Sequence, residues 1–170
     1  RALGRDELRA QLRAFCAARP AGAKFARRAC EGPAGSSPAM KWVNPPVALM
    51  LHAGVPLMLH AGVPLLLDAG VHLPRLHDGD RQRVALEGYP GLLARELIGA
   101  RSYKADARAR QTDALRLARV ELVEALQRGR TRLGLRLCLA PAQRIELIDD
   151  ASGDRLDAVL CLMQAAWADG

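Results

Sequence analysis

Aromatic residues are scarce in this sequence, with only two each of Trp, Tyr and Phe. Half of the residues are nevertheless hydrophobic, so the core must consist mainly of Leu, Ala and Val. A chain of 170 residues with this apolar content can bury a substantial core. The sequence therefore predicts one globular domain over residues 1–170.

Several motifs are also absent. The four cysteines form no CxxC pair, which argues against a zinc knuckle. The stretch "GPAGSSP" (32–38) lacks the lysine of a Walker motif, which argues against an ATP-dependent kinase. The most apolar stretch (47–71) is interrupted by Pro, Gly, His and Asp68, which argues against a membrane span. No signal-peptide h-region lies near the start, so a cytoplasmic protein with reduced thiols is expected.

The net charge of +7 is distributed unevenly. Residues 1–46 and 95–136 each carry a net +6, whereas residues 137–170 carry −4. A basic body with an acidic end favours a polyanionic partner such as nucleic acid, with a separate role for the acids. The alternative is a surface charged only for solubility, in a sequence with the Ala, Arg and Leu content of a GC-rich genome.

Residues 20–46 are predicted to form a long basic loop, since they are rich in Gly, Pro, Ala and Ser. Basic side chains beside aromatic ones suit phosphate contacts and base stacking. A second basic connector follows at residues 100–110. The residues predicted to contact nucleic acid are Lys24, Arg27, Arg28, Lys41, Trp42, Arg101 and Lys104. A mobile surface loop without a ligand is the alternative for residues 20–46.

A tandem repeat, "LMLHAGVPLMLHAGVPLLLDAGV", occupies residues 49–71. Its eight-residue period rotates each copy by roughly 80° on a helix, so no single apolar stripe connects the copies. Proline and glycine in "AGVP" predict two short helical pieces with turns between them over residues 47–71. A metal site at His52, His60 and Asp68 is disfavoured, because this spacing does not place the histidines on adjacent turns. An in-frame duplication without a functional role explains the pattern best.

Hydrophobic periodicity indicates the remaining elements. Short strands are predicted at "VHLPRL" (71–76) and "QRVALEGY" (82–89), with a turn at "HDGD". Helices are predicted at residues 5–19, 90–100, 111–129, 140–150 and 152–168. The expected inward residues of the helix at 111–129 are Leu115, Ala118, Leu122, Val123 and Leu126. Residues 140–170 thus form an acidic, helical C-terminal part.

Three acidic residues stand out. The last helix is apolar nearly all round, which predicts a buried helix with Leu156, Val159, Leu160, Met163 and Trp167 in one apolar stripe. Asp154 and Asp157 lie at i,i+3, and Glu87 ends the second predicted strand. Buried carboxylates that repel one another can be stabilised by Mg²⁺, and a strand Glu with two helix Asp can build a two-metal phosphoryl-transfer site. Alternatively, Asp154 stabilises the helix N-terminus and Asp157 is exposed.

Two stretches, "ALEGYPGLLARELIGARSYK" (85–104) and "DDASGDRLDAVLCLMQAAWA" (149–168), resemble domain-of-unknown-function family four-two-nine (DUF429), whose members are predicted nucleases with a ribonuclease-H-like fold. "KWVNPP" (41–46) and "HAGVPLLLDAGVHLP" (60–74) are similar to the middle region of that family. The pairing of E-x-Y-P with D-x-x-D-A carries most of the resemblance. The implied fold is α/β, with a mixed sheet flanked by helices.

The resemblance also implies site residues. Glu87, Asp154 and Asp157 would match the catalytic acids that bind Mg²⁺ or Mn²⁺, Lys104 a phosphate-contacting lysine, and Asp150 an outer partner. The family pattern begins with a strand carrying an Asp, and residues 1–16 contain no such strand, so an incomplete and inactive fragment is expected. The predicted function is a metal-dependent nuclease, and the alternative is a non-catalytic nucleic-acid-binding module. The sequence leaves the oligomeric state open.

Overall fold

The structure is a computed structural model that describes residues 4–29, 31–43, 47–57 and 61–169. The chain divides into two compact units, Arg1–Ala85 and Leu86–Gly170, where the sequence predicts a single domain. We call them unit 1 and unit 2 and describe each by itself. The described residues contain both helices and strands.

Unit 1 contains four helices and two strands within its described residues. They are α1 (Arg5–Ala17), α2 (Glu31–Ala34), α3 (Val47–Leu57), α4 (Val63–Asp68), β1 (Val71–His72) and β2 (Asp80–Val84). The one-turn helix α2 lies inside the predicted loop at residues 20–46. Its Glu31 is buried and accepts hydrogen bonds from the backbone and guanidinium of Arg28 and from the backbone of Ala39. These bonds hold the pKa of Glu31 below its ordinary value, although burial alone would raise it.

The hydrophobic core of unit 1 is small. Its buried members are Leu12, Ala48 and Leu49, so α1 packs with α3. Leu8, Met40 and Trp42 pack against these three residues and remain partly buried. Leu12 and Cys16 of α1 are buried, whereas Phe15 is exposed.

The repeat forms two helical pieces, as the sequence predicts, but their limits differ from the prediction. The first "AGVP" lies inside α3 rather than in a turn, because Pro56 is only one residue from the end of that helix. A proline there removes one backbone donor without interrupting a longer helix. The second "AGVP" leads into α4, with Pro64 in its first turn, where the missing N–H is not needed. His60 lies outside the described residues.

The two strands pair in parallel, with Val71 opposite Asp80 and His72 opposite Val84. The unequal spacing marks an irregularity between Val71 and His72. β2 begins within the predicted turn and ends at Val84, earlier than predicted. Glu87 therefore follows the strand by three residues and lies in the exposed segment before the next helix, rather than at the strand end.

Unit 2 is helical in its described part. It contains α5 (Pro90–Ile98), a 3₁₀ turn (Arg108–Arg110), α6 (Asp113–Gln127), α7 (Pro141–Asp149) and α8 (Asp154–Asp169). The four predicted helices of this unit are confirmed, and each of their ends lies within two residues of the predicted position. Thr112 starts α6 by accepting a hydrogen bond from the amide of Leu115, as expected of an N-cap threonine.

The core of unit 2 surrounds α6, which packs against α5 and α7, while α8 packs against α5 and α7. Four of the five predicted inward residues of α6 are buried, and Leu115 is partly exposed. The innermost side chains, each with no exposed surface, are Leu122, Val123, Leu126, Leu156 and Leu160. The sparse aromatic content is consistent with this aliphatic core.

The prediction of a buried α8 is wrong. Leu156, Leu160 and Met163 are buried as predicted, but Leu162 is 61% exposed and Trp167 is 58% exposed. Trp167 lies in the last turns of the helix, beyond the side chains that contact α5. Asp154 is exposed and Asp157 is half-buried, so mutual repulsion between buried carboxylates does not arise at this pair.

Across the described ranges no helix is both long and apolar enough to cross a membrane. Cys16, Cys138 and Cys161 are free thiols. Cys30 lies outside the described residues.

Candidate functional site

The side chains of Lys104 and Asp157 are in direct contact in unit 2. The ammonium group of Lys104 donates a hydrogen bond to Asp157 Oδ2, and together they form an ion pair. Fifty-three residues separate the two positions, so tertiary structure brings them together. Lys104 lies in the segment between α5 and α6, and Asp157 lies in the first turn of α8. The structure thus places side by side two residues that the sequence assigns to one site.

A second donor reaches the same carboxylate. The hydroxyl of Tyr103, a buried residue, donates to Asp157 Oδ1. Burial raises the pKa of the Tyr103 phenol well above its ordinary value, and the hydrogen bond to the negative Asp157 raises it further. The phenol therefore remains protonated and acts as a donor. Both oxygens of Asp157 are thus bound by side chains of the adjacent pair Tyr103–Lys104.

Arg119 fixes the backbone that carries these donors. It is a buried residue of α6, and its guanidinium donates to the carbonyl of Ile148 at 2.6 Å and to the carbonyl of Tyr103 at 2.8 Å. Ile148 is in α7, so one side chain connects three segments of unit 2. The backbone amide of Ala105 also donates to the carbonyl of Ala151, at 3.2 Å. These bonds align the Tyr103–Lys104 segment with the turn before α8.

The turn between α7 and α8 is held by Asp150. Its carboxylate accepts hydrogen bonds from the amide of Arg155 at 2.9 Å and from the hydroxyl of Ser152 at 2.6 Å. Burial would raise the pKa of Asp150, but these bonds and the Gly153 amide outweigh it, so the pKa lies below its ordinary value. Asp150 therefore caps α8, and the exposed Asp154 lies 3.2 Å from the Ser152 hydroxyl. Asp150 thus stabilises the first turn of α8, and its role as an outer partner of a metal ligand stays a prediction.

The segment that carries Glu87 packs on α8. A Cβ at Gly88 would lie 2.9 Å from the Sγ of Cys161, one turn beyond Asp157. The side-chain amide of Gln164 accepts from the Tyr89 amide at 2.9 Å and donates to the Tyr89 carbonyl at 2.8 Å. The neighbour of Glu87 is thus in contact with the helix that carries Asp157, while Glu87 itself is exposed.

The binding of a divalent cation by Glu87, Asp154 and Asp157 stays a prediction. Among the described residues, no three His, Cys, Asp or Glu side chains form a group that could hold a metal ion, and Glu87, Asp154 and Asp157 therefore form none. Lys104 already balances the charge of Asp157. A divalent cation at that carboxylate would be repelled by the ammonium group. Metal binding at this site thus requires a different arrangement of Lys104.

No family model, curated protein or solved structure matches this chain. The family, the ribonuclease-H-like fold and the nuclease activity therefore stay predictions from the sequence. The geometry adds residues that the sequence did not single out for the site: Tyr103, Arg119, Cys161 and Gln164. Only Tyr103 had a signal, because it directly precedes Lys104 in "SYK".

The nucleic-acid residues predicted in unit 1 contact their own unit. Lys24 lies over the ring of Phe25, and Arg27 donates to the carbonyl of Ser36. Arg28 is paired with the buried Glu31. The charged groups of Lys24, Arg27 and Arg28 therefore already interact with other residues of the same segment.

Lys41 and Trp42 lie in the same predicted loop, residues 20–46. The indole ring of Trp42 packs against the core of unit 1, and the Arg13 guanidinium lies 5.2 Å from the ring centroid. A nucleic-acid base would have to displace Arg13 to stack on that face. The backbone of Lys41 binds that of Ala48, and its side chain is partly exposed.

In unit 2, Arg101 is paired with Glu121 of α6 at 2.6 Å. Lys104 is 39% exposed in its side chain, which leaves its ammonium accessible to an anion from solvent. Of the two predicted contacts in this unit, Lys104 is the one at the site with Asp157.

Proposed function

We propose that unit 2 carries the phosphate-facing part of a ribonuclease-H-like nuclease site, in which Lys104 binds a phosphodiester and Asp157 takes part in its hydrolysis. The observation that carries the proposal is the contact of Lys104 with Asp157 beside the segment of Glu87. It joins Lys104 and Asp157, two residues that the resemblance to family four-two-nine assigns to catalysis, and the chain neighbour of Glu87 contacts the same helix. The predicted Mg²⁺ or Mn²⁺ belongs to the same proposal, but no step below depends on it.

The exchange of partners at Lys104 is the first step. A phosphate oxygen replaces the Asp157 carboxylate as the acceptor of the lysine ammonium, since both are anionic acceptors of similar size. Asp157 is only 22% exposed, so it does not follow Lys104 into solvent. Substrate binding thus separates the ion pair and frees one carboxylate oxygen next to the bound phosphate.

The freed carboxylate can act as a general base. Asp157 Oδ2 would accept a proton from the water that attacks phosphorus, while Oδ1 keeps the hydrogen bond from Tyr103. As the new P–O bond forms, one P–O ester bond breaks, and the leaving oxygen takes a proton from solvent water and departs as an alcohol. Tyr103 orients the carboxylate and stays protonated because of its raised pKa. Glu87, in the exposed segment beside α8, and the exposed Asp154 are the other two carboxylates that the resemblance assigns to the site.

The second candidate is a nucleic-acid-binding module without catalysis. The ion pair with Lys104, which already neutralises Asp157, favours it. In this case Lys104 contributes one of several phosphate contacts, together with exposed arginines such as Arg108 and Arg110. Its binding would weaken steeply as salt rises.

The test uses end-labelled single-stranded and duplex oligonucleotides of DNA and RNA. Binding and cleavage are measured with Mg²⁺, with Mn²⁺ and with a chelator, on the wild type and on Asp157→Asn, Lys104→Ala and Glu87→Gln. Asp149→Asn is the matched control, because Asp149 also forms an ion pair across helices, with Arg116 at 3.0 Å. Circular dichroism checks that each variant is folded.

For a nuclease, Asp157→Asn lowers cleavage at least about a hundredfold, in the range of a lost general base, whereas Asp149→Asn does not. Oligonucleotide affinity stays equal or rises in Asp157→Asn, because Lys104 loses its competing anion. For the binding module, cleavage is absent throughout, and Lys104→Ala alone weakens binding. If no oligonucleotide binds even at low salt, both candidates are wrong.

A further inference from the structure

A cavity of about 480 Å³ lies in unit 2 between α6, α7 and the segment that joins them. Arg128, Arg136 and Arg144 line it, and Glu124 is the only carboxylate in the lining. Leu137, Cys138 and Leu139 of the joining segment also line it; Cys138 is exposed, whereas the two leucines are partly buried against the core of unit 2. The volume is in the range of small-molecule sites, which are roughly 300–1,000 Å³.

The charges of the lining do not balance. Glu124 is shared between Arg144, at 3.1 Å, and Arg128, at 3.8 Å. Arg136 has no carboxylate partner among the described residues, and its Nε donates to the carbonyl of Gln127 at 3.3 Å. Three guanidinium groups and one carboxylate therefore leave an excess of two positive charges around one cavity.

The backbone at Gly129 leaves room for the stem of the Arg136 side chain and so fixes its position. A Cβ at Gly129 would lie 2.8 Å from the Cγ of Arg136, and Gly129 has a φ of +65°. The Arg136 stem thus packs where only glycine leaves room. The amide of Leu137 also donates to the carbonyl of Leu126, which fastens the segment to the end of α6. The terminal nitrogens of Arg136 stay available as donors.

We propose that this cavity binds an organic phosphate monoester, with the phosphate on Arg136 and Arg144 and the organic group over the segment 137–139. Arginine presents paired donors that match two oxygens of a phosphate. A dianion compensates the two excess charges, and the organic group covers Cys138 in the lining. The source is either a free small molecule or the terminal phosphate of a nucleic acid, since both present the same group.

The inference does not depend on the proposed function, because its test involves neither Lys104, Asp157 nor cleavage. Cys138 serves as the reporter, as an exposed thiol in the lining. Its alkylation by iodoacetamide, a neutral reagent, is followed by peptide mass spectrometry in the presence of phenyl phosphate. Phenol and inorganic phosphate are the controls for the ligand. A 5′-phosphorylated oligonucleotide and its 5′-hydroxyl form distinguish the two sources.

We expect saturating phenyl phosphate to slow Cys138 alkylation at least about fivefold, while phenol has no effect. Arg136→Gln should weaken the protection about tenfold or more, as should Arg144→Gln. The control Arg132→Gln, which removes an arginine paired with Glu96 outside the cavity, should leave it unchanged. Equal protection in Arg136→Gln and wild type, or no protection by any phosphorylated probe, would overturn the inference.

If the 5′-phosphorylated oligonucleotide protects Cys138 at lower concentrations than phenyl phosphate, and the 5′-hydroxyl form does not, the ligand is a nucleic-acid end. If phenyl phosphate protects and neither oligonucleotide does, the ligand is a small organic phosphate. Both results support the cavity as a phosphate monoester site.

Discussion

A Cβ atom at Gly153 would lie 2.7 Å from the Cβ of Lys104. Gly153 also has a φ of +73°, a conformation that side chains with a Cβ rarely adopt. The close approach allows the stem of Lys104 to lie across the start of α8, from which its ammonium reaches Asp157. The glycine is therefore required both by the turn and by the site.

Gly153→Ala should destabilise unit 2 by about 3 kcal/mol, as the sum of left-handed backbone strain and a clash with Lys104. Gly134→Ala is the matched control, because Gly134 has a φ of +68° with nothing within 4 Å of a Cβ. The control should lose only about 1 kcal/mol. Urea unfolding followed by circular dichroism measures both. Equal losses of unfolding free energy in the two variants would show that the Lys104 side chain moves away from the added methyl group without a cost in free energy.

Arg119→Met should cost about 2–4 kcal/mol, because the carbonyls of Ile148 and Tyr103 lose a buried, charged donor. Arg119→Lys should retain part of the stability, since one ammonium can reach one carbonyl. Arg116→Gln removes an exposed ion pair on the same helix and should cost less than about 1 kcal/mol. The three variants are compared by urea unfolding. A loss in Arg119→Met no larger than in Arg116→Gln would contradict the anchoring role.

The stability of unit 2 should fall in acid partly through Asp150. Its pKa is lower in the folded state, so its contribution is present above the unfolded-state pKa of about 4 and is lost as pH falls through the folded value. Asp150→Asn should be about 1 kcal/mol less stable at neutral pH and should show a shallower decline in acid. Unfolding free energies from pH 7 to pH 3 measure this. Parallel curves for variant and wild type would rule the contribution out.

Leu160→Ala and Leu162→Ala make a matched pair on opposite faces of α8. Leu160 has no exposed surface, so its truncation should cost about 3 kcal/mol through lost burial and a residual cavity. Leu162 is 61% exposed, and its truncation should stay within about 0.5 kcal/mol. Comparable losses would mean that the outer face of α8 is covered in solution. Thermal unfolding of both variants gives the comparison.

The helices of unit 2 could be predicted from the sequence because their signals are local. Pro90 at the start of α5 and the apolar spacing in α6 mark these helices without tertiary information. The exposure of Trp167 could not be predicted, since the apolar stripe continues beyond the point where α8 still packs. The end of β2 was also misplaced, because apolar residues continue past the last paired residue, Val84.

For the site, the resemblance named Lys104 and Asp157, and the fold brings them into contact. Tyr103 and Arg119 were not assigned, because their roles depend on which chain segments meet. From sequence alone, an arginine in an amphipathic helix is expected to be solvent-exposed. Arg119 is instead only 4% exposed and donates hydrogen bonds to two carbonyl groups. The metal ligation predicted for Glu87 and Asp154 rests on spacing and resemblance and stays a prediction.

Gln164 pairs with both backbone groups of Tyr89, as a neighbouring strand would. The side-chain amide of Gln164 thus helps to fix the position of the Glu87 segment along the axis of α8. One turn towards Asp157, that amide would fall on Leu160, which has no exposed surface, or on Cys161, which lies against Gly88. The separation of Glu87 from Asp157 is therefore tied to the same packing that keeps unit 2 folded.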